Sequence, residues 1–201
     1  MILLLDGFNS GFLKSLLRFD FWMFHKINQV WVNPFFDLIL PFVRQQELWY
    51  PLYLFFLVLA LYNYGRKGIW WAITLIMTIV ISDLVSSSLI KKTIFRFRPC
   101  GNPDIAEQVR VLVNYCPQNS SFTSSHACNH FAIAWFIFIT LNHTGSWRWL
   151  LFGWAFIICY AQVYVGVHFP LDIIGGAIIG SSIGYGMSIF FRKQFGPLPL
   201  K

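Results

Sequence analysis

His168 and Asp172 stand four residues apart at the start of an apolar segment. On a helix that spacing puts both side chains on one face, so the carboxylate can hold the imidazole in one tautomer and stabilise its charged form. A histidine prepared in this way serves as a nucleophile or an acid-base group. The pair equally fits an interfacial histidine beside a first-turn aspartate favoured by the helix dipole. Lys91 and Arg98 are seven residues apart, about two helical turns, and can point into one pocket. A planar guanidinium and a compact ammonium suit phosphate oxygens there, although a basic run at a helix end also fits a headgroup anchor. Ser124 is placed to cap a helix whose free N–H groups form an anion site, with Ser125 and His126 in its first turn. His130 follows His126 at i+4, so a metal pair completed by Asp172 is a competing reading. It ranks lower because Lys91 and Arg98 on the same face would repel a cation.

Apolar segments must position these residues. Of the 201 residues 57% are hydrophobic and only 11% charged, and the mean hydropathy is +0.59. A soluble domain of this length needs a more charged surface, so the composition predicts an all-α, polytopic membrane helical bundle. The net charge of +7 would suit nucleic acid. The cations cluster at the ends of apolar segments, however, as topology anchors or ligands for an anion, and no nucleic-acid partner is expected. The opening MILLL is too short for a cleavable signal, and Asp6 follows at once.

Residues 9–28 mix Phe12, Leu16, Phe21 and Phe24 with Lys14, Arg18, Asp20 and Lys26. They hold no uncharged apolar window of about eighteen residues, so they and a second piece, 35–43, are expected to lie in the membrane interface. This separates an amphipathic, membrane-associated segment, 1–46, from a domain over 47–201. The latter carries spans at 48–62, 69–90, 124–141, 147–164 and 171–191, in a bundle of about five to six membrane helices. Asp83, inside the second span, is expected to face the protein interior. Gly176, Gly180 and Gly184 recur every four residues and read as a helix-packing seam. Parity puts Lys91, His126 and His168 on one side, and Arg66, Lys67, Arg148, Arg192 and Lys193 on the other. The positive-inside rule makes the second side cytoplasmic. Lys91, Lys92, Arg96, Arg98 and Arg110 make the outer side basic too, which an anionic ligand would explain. The four cysteines match no metal or redox spacing. Cys128 and Cys159 read as packing residues, while Cys100 and Cys116 bracket the polar loop and form a candidate disulfide if that loop faces an oxidising compartment.

Together the three segments resemble the signature of the PAP2 (type 2 phosphatidic acid phosphatase) superfamily. Its parts are Lys-x6-Arg-Pro, Pro-Ser-Gly-His and Ser-Arg-x5-His-x3-Asp. Lys91, Arg98 and Pro99 complete the first. The second reads Thr123-Ser124-Ser125-His126, and the third keeps His168 and Asp172 but has Ala161-Gln162 where the pattern has Ser-Arg. The likeness covers roughly residues 83–176.

The resemblance implies a membrane phosphatase that needs no metal or cofactor and acts on a lipid phosphate. Undecaprenyl pyrophosphate, phosphatidylglycerol phosphate, phosphatidic acid and lipid A phosphate all fit. A small chain with no soluble domain suits a bacterial inner membrane, with the site on the periplasmic face. By the likeness, His168 attacks phosphorus to form a phosphohistidine, Asp172 orients it, and His126 protonates the departing oxygen. Lys91, Arg98, Ser124 and the backbone N–H groups of the second motif, that of Ser125 included, hold the phosphoryl oxygens. Gln162 in the phosphate-binding set offers a donor but no charge. Loss of a charge-assisted contact is worth about 2–4 kcal/mol of transition-state stabilisation. Lys92, Arg96 and Arg110 are the expected substitute cations. Two alternatives stand beside hydrolysis: a lipid-phosphate-binding protein with impaired catalysis, which Gln162 favours, and phosphotransfer to another acceptor. Membrane lipids and a lipid phosphate are the expected partners.

Overall fold

The computed structural model describes residues 11–198, so the opening MILLL and Asp6 lie outside the described residues. Among those residues the chain is all-helical, with no strand. The principal helices are α1 (Gly11–His25), α2 (Pro34–Val43), α3 (Tyr50–Tyr64), α4 (Arg66–Asp83), α5 (Ser125–Thr140), α6 (Leu150–Tyr164) and α7 (Pro170–Phe195). Each boundary follows from local chemistry. Asn33 caps α2 by accepting from the Phe36 N–H at 2.8 Å, and Pro34 fixes its first turn. Pro170 opens α7 in the same way, and Gly196 ends it in the left-handed region, φ 73°.

Five helices pack around a core of Trp71, Phe136, Ile137, Leu141, Ile158 and Phe191. The closest pair is α5 on α7, and the expected glycine seam explains it. A Cβ on Gly180 would stand 2.0 Å from the Cys128 carbonyl oxygen, and one on Gly184 2.3 Å from that of Ala132. Only glycine allows that backbone approach. Because Gly176 does the same against the Ser124 carbonyl, the seam sets the N-terminus of α5 beside the first turn of α7.

Past Asp83, α4 widens into a π-helical stretch, Leu84–Ile90, and then an α-turn, Lys91–Thr93. The whole rod, Arg66–Thr93, and α7 are both long and apolar enough to cross a membrane, whereas α3, α5 and α6 hold 15 or 16 residues. Asp83 departs from expectation. It lies exposed on the flank of the rod, where Oδ1 accepts from Asn129 at 3.4 Å and Oδ2 from Ser87 at 3.3 Å. Its neighbour Ser82 takes the inward face, donating to Asn129 Oδ1 at 2.5 Å, and so turns the carboxylate outward.

The N-terminal segment is locked to the rest by polar contacts. Asp20 of α1 is fully buried and accepts from the Leu171 N–H at 2.8 Å. Asn28 donates to the carbonyls of Arg110 and Tyr164, each at 2.8 Å. Phe24 and Leu40 pack against Tyr164 and Phe169 in a second, smaller core.

Candidate active site

His168 sits in the turn between α6 and α7, where Gly166 adopts φ 87°. A side chain there would also meet the Arg110 carbonyl at 2.7 Å, so glycine is required twice over. The ring is 2% exposed and its two nitrogens face different partners. Nδ1 lies 3.5 Å from Asp172 Oδ2 and 3.4 Å from Ser121 Oγ. Nε2 lies 3.1 Å from Arg98 Nη1.

Behind the Nδ1 edge, Asp172 is saturated. Its Oδ2 accepts from Ser121 Oγ at 2.5 Å and from the Phe169 N–H at 2.8 Å. Its Oδ1 accepts from Arg96 Nη1 at 2.6 Å. The other arm of Arg96 binds Asp20, and the guanidinium stacks on Phe169 at 4.3 Å. Two carboxylates thus share one buried guanidinium, and α1 is tied to the catalytic turn through it.

On the Nε2 side, Arg98 is held rigidly. It donates to the Asn119 carbonyl, to Asn119 Oδ1 at 2.7 Å and to the Val167 carbonyl at 3.1 Å. Burial pushes its pKa down to about 10, opposed by Asp172 and reinforced by Arg44. His168 is pushed down to about 4, chiefly by burial and further by Arg98, against the pull of Asp172. The imidazole is therefore neutral at ordinary pH, with its Nε2 lone pair accepting from Arg98 Nη1. Lys91 closes the group, within electrostatic range of Arg98 and Asp172.

The second motif completes the ring of donors. Ser124 caps α5, and its own N–H reaches back to the Asp172 carbonyl at 3.1 Å. His126, one residue into α5, lies within electrostatic range of His168, Lys91 and Arg44. Among the described residues only four buried side-chain atoms lack a hydrogen-bond partner: Thr123 Oγ1, Ser125 Oγ, Gln162 Nε2 and Trp154 Nε1. Buried donors are almost always paired, and three of these orphans belong to the second and third motifs. His130 stands apart from it. One ring nitrogen is 2.7 Å from the His126 carbonyl and the other 3.3 Å from the Tyr53 hydroxyl, so the competing His126–His130–Asp172 metal set does not converge.

Of the expected substitute cations, two are already paired with carboxylates and the third faces outward. Arg96 is held by Asp20 and Asp172, Arg110 pairs with Asp37 at 2.8 Å, and Lys92 is exposed. Gln162 instead meets Arg44, whose Nε donates to its Oε1 at 3.2 Å. The pattern of motifs gave no hint of Arg44 or of Asp20, because both lie far upstream of the polar segments they serve. Ser121 was closer to view, three residues before the Ser124 cap. Cys100 and Cys116 are joined in a disulfide beside Arg98, their Cα atoms 5.9 Å apart.

A family model described as PAP2 superfamily matches residues 68–195. A lipid A 4'-phosphatase of Bacteroides thetaiotaomicron is 30% identical over 165 residues, covering 79% of this chain and 70% of the relative. The crystal structure of Aquifex aeolicus LpxE is 29% identical, with a TM-score of 0.62 over 86% of this chain and 94% of that one. The crystal structure of a transmembrane PAP2 type phosphatidylglycerolphosphate phosphatase from Bacillus subtilis is 18% identical, with a TM-score of 0.64 over 96% of this chain and 92% of that one. At that identity the second structure speaks for the fold.

Proposed function

The chain belongs to the PAP2 superfamily and is a lipid phosphatase, and we propose that it removes a phosphate monoester from a lipid A type saccharolipid through a phosphohistidine on His168. The observation that carries the mechanism is the asymmetry of the His168 ring, with Asp172 on Nδ1 and Arg98 on Nε2. Nδ1–H faces Asp172, and the Nε2 lone pair attacks phosphorus as the Arg98 Nη1 donor turns from it to the phosphoryl oxygens. As the N–P bond forms, the P–O bond to the lipid breaks and His126 supplies the proton to the leaving oxygen. Lys91, Arg98, the Ser124–Ser125 donors and Gln162 hold the phosphoryl oxygens, where pre-placed donors act most strongly on developing charge. Water then attacks the phosphohistidine, with His126 taking its proton, and phosphate leaves.

The substrate class is supported by the Bacteroides relative, a lipid A 4'-phosphatase similar along most of the chain. Membrane placement is supported by the outward side chains of Leu54, Phe55, Val58, Ile76, Met77 and Ile178, all exposed, which form an apolar girdle suited to lipid. In this reading α3 to α7 are five spans and α1 and α2 lie at the interface. Single helical turns, Gln46–Trp49 and Ser146–Trp149, lengthen α3 and α6 toward bilayer width. The Cys100–Cys116 bridge favours an oxidising, periplasmic side for the site.

The test is phosphate release in detergent from a panel of lipid A bisphosphate, undecaprenyl pyrophosphate, phosphatidylglycerol phosphate and phosphatidic acid. Lipid A bisphosphate should turn over fastest, with full activity in EDTA, and His168→Ala should lose about 10⁴-fold or more. Preference for a glycerolipid or polyprenyl substrate would overturn the substrate class. Loss in EDTA with recovery on zinc would overturn the mechanism.

A further inference from the structure

We propose that Arg44 supplies the phosphate-binding guanidinium that position 162 lacks, carried into the site on the C-terminal end of α2. The inference rests on the phosphatase reading above. It concerns a residue outside the stretch that the family model covers, 68–195.

Gln162 is fully buried in the last turns of α6. Its carbonyl oxygen accepts from Arg44 Nε at 3.2 Å, and its Nε2 has no partner. That single bond leaves both Nη groups of Arg44 without a hydrogen-bond partner among the described residues, on a side chain that is partly buried. The Arg44 charge acts on Arg98 and on His126, so it lies within electrostatic range of both. The contrast with the other arginines decides the matter. Arg96 and Arg110 are each neutralised by an aspartate at hydrogen-bond distance, whereas Arg44 and Arg98 have no carboxylate within ion-pair distance among the described residues. Like charges converging on one partly dry place repel, and an anion bound between them relieves that cost.

The fold holds Arg44 in position. Asp37, two turns earlier on α2, accepts from the Tyr164 hydroxyl at 2.6 Å and pairs with Arg110. Phe36 packs edge-on against Tyr164. Thus α2 is clamped to α6 at one end and delivers Arg44 to Gln162 at the other. Gln162 and Arg44 also make sense as a pair. An amide oxygen accepts from a guanidinium, while an arginine at 162 would repel it, so the upstream cation and the in-motif amide replace the in-motif cation together.

The pairing predicts a reciprocal pattern in full-length protein, read by lipid phosphate turnover and by inhibition with inorganic phosphate. Arg44→Ala should lower kcat/KM by about 100-fold and raise the inhibition constant for inorganic phosphate by about tenfold, with little change in melting temperature. Gln162→Arg alone should also lose activity, because two guanidiniums then compete for one place. Combined with Arg44→Ala it should recover at least about tenfold over Arg44→Ala, the size of one charge-assisted contact. Should Arg44→Ala not fold, Arg44→Lys keeps the charge and stem but loses the fork, and should lose about tenfold. Wild-type kcat/KM and phosphate inhibition in Arg44→Ala, or in Arg44→Lys where that is the variant used, would overturn the proposal. So would a double variant no better than the single one. If the wild type releases phosphate from none of the lipids, the phosphatase reading fails by itself. Stabilisation by orthovanadate that persists in Arg44→Ala would then reject Arg44, and stabilisation that disappears would retain it.

Discussion

The two edges of the His168 ring are built on opposite principles. On the Nδ1 edge every polar atom has a partner, and Asp172 is anchored by Ser121, Phe169, Arg96 and the histidine itself. In the second and third motifs, which the proposed mechanism sets around the phosphate, Thr123, Ser125 and Gln162 each carry a buried atom with no partner among the described residues. The first is support and is finished when the chain folds. The second keeps unpaired donors beside the firmly held Arg98, and in the proposed mechanism those donors take up the phosphoryl oxygens. Folding stability should therefore reside in the first edge and substrate affinity in the second.

Breaking the support should have the largest effect. Arg96→Ala leaves the fully buried Asp20 and Asp172 without the guanidinium that bridges them. Removal of one partner from a buried ion pair costs about 3–5 kcal/mol. A large drop in melting temperature is expected, together with loss of phosphate release. Adding Asp20→Asn should recover part of the stability but not the activity, because Asp172 still lacks its partner. If Arg96→Ala melts like the wild type, the support is not where stability lies.

The second effect concerns protonation. With its pKa held near 4, His168 stays neutral where an ordinary histidine would charge. Between pH 6.5 and about 4 the unfolded chain takes up a proton that the folded chain refuses. Stability from this group is thus full above 6.5 and declines as pH falls through that window. A phosphate monoester itself titrates near pH 6, so rate profiles mix the two groups. Imidazole NMR of the free protein, with His168→Ala for assignment, should give a midpoint near 4. A midpoint at 6.5 or above would mean that the phosphate-facing edge is neither dry nor cationic.

Legibility in the sequence divides along the same line as the chemistry. The motif residues lie in three short segments whose spacing is local, and the fold brings Lys91, Arg98, Ser124 and His126 around His168 and Asp172. The helical class was equally plain, because long apolar stretches permit little else. What stayed hidden is long-range. Asp20 to Arg96 is a separation of 76 residues and Arg44 to Gln162 one of 118, and no periodicity links such positions. Both upstream residues sit in a segment that reads as membrane anchoring, where scattered charges normally mean contact with headgroups. Asp83 failed for a different reason. Residue type alone predicts burial within a span, but at that point one step along the helix decides which of Ser82 and Asp83 faces inward.

The smallest effect should be the most discriminating, because stability and activity should move in opposite directions. Ser125 Oγ is buried without a partner in the first turn of α5. A buried hydroxyl left unsatisfied costs about 1–3 kcal/mol, and its removal at constant backbone recovers part of that. Ser125→Ala keeps the N–H and is a better helix former, so the melting temperature should rise. If the hydroxyl donates to a phosphoryl oxygen, the same change should lower kcat/KM by about tenfold, the worth of one hydrogen bond to a charged group. Thr123→Val tests the same logic on the neighbouring orphan with its shape kept. Variants that melt lower and turn over normally would show that these hydroxyls are already paired in the folded protein, and the contrast between the two edges of His168 would then fall.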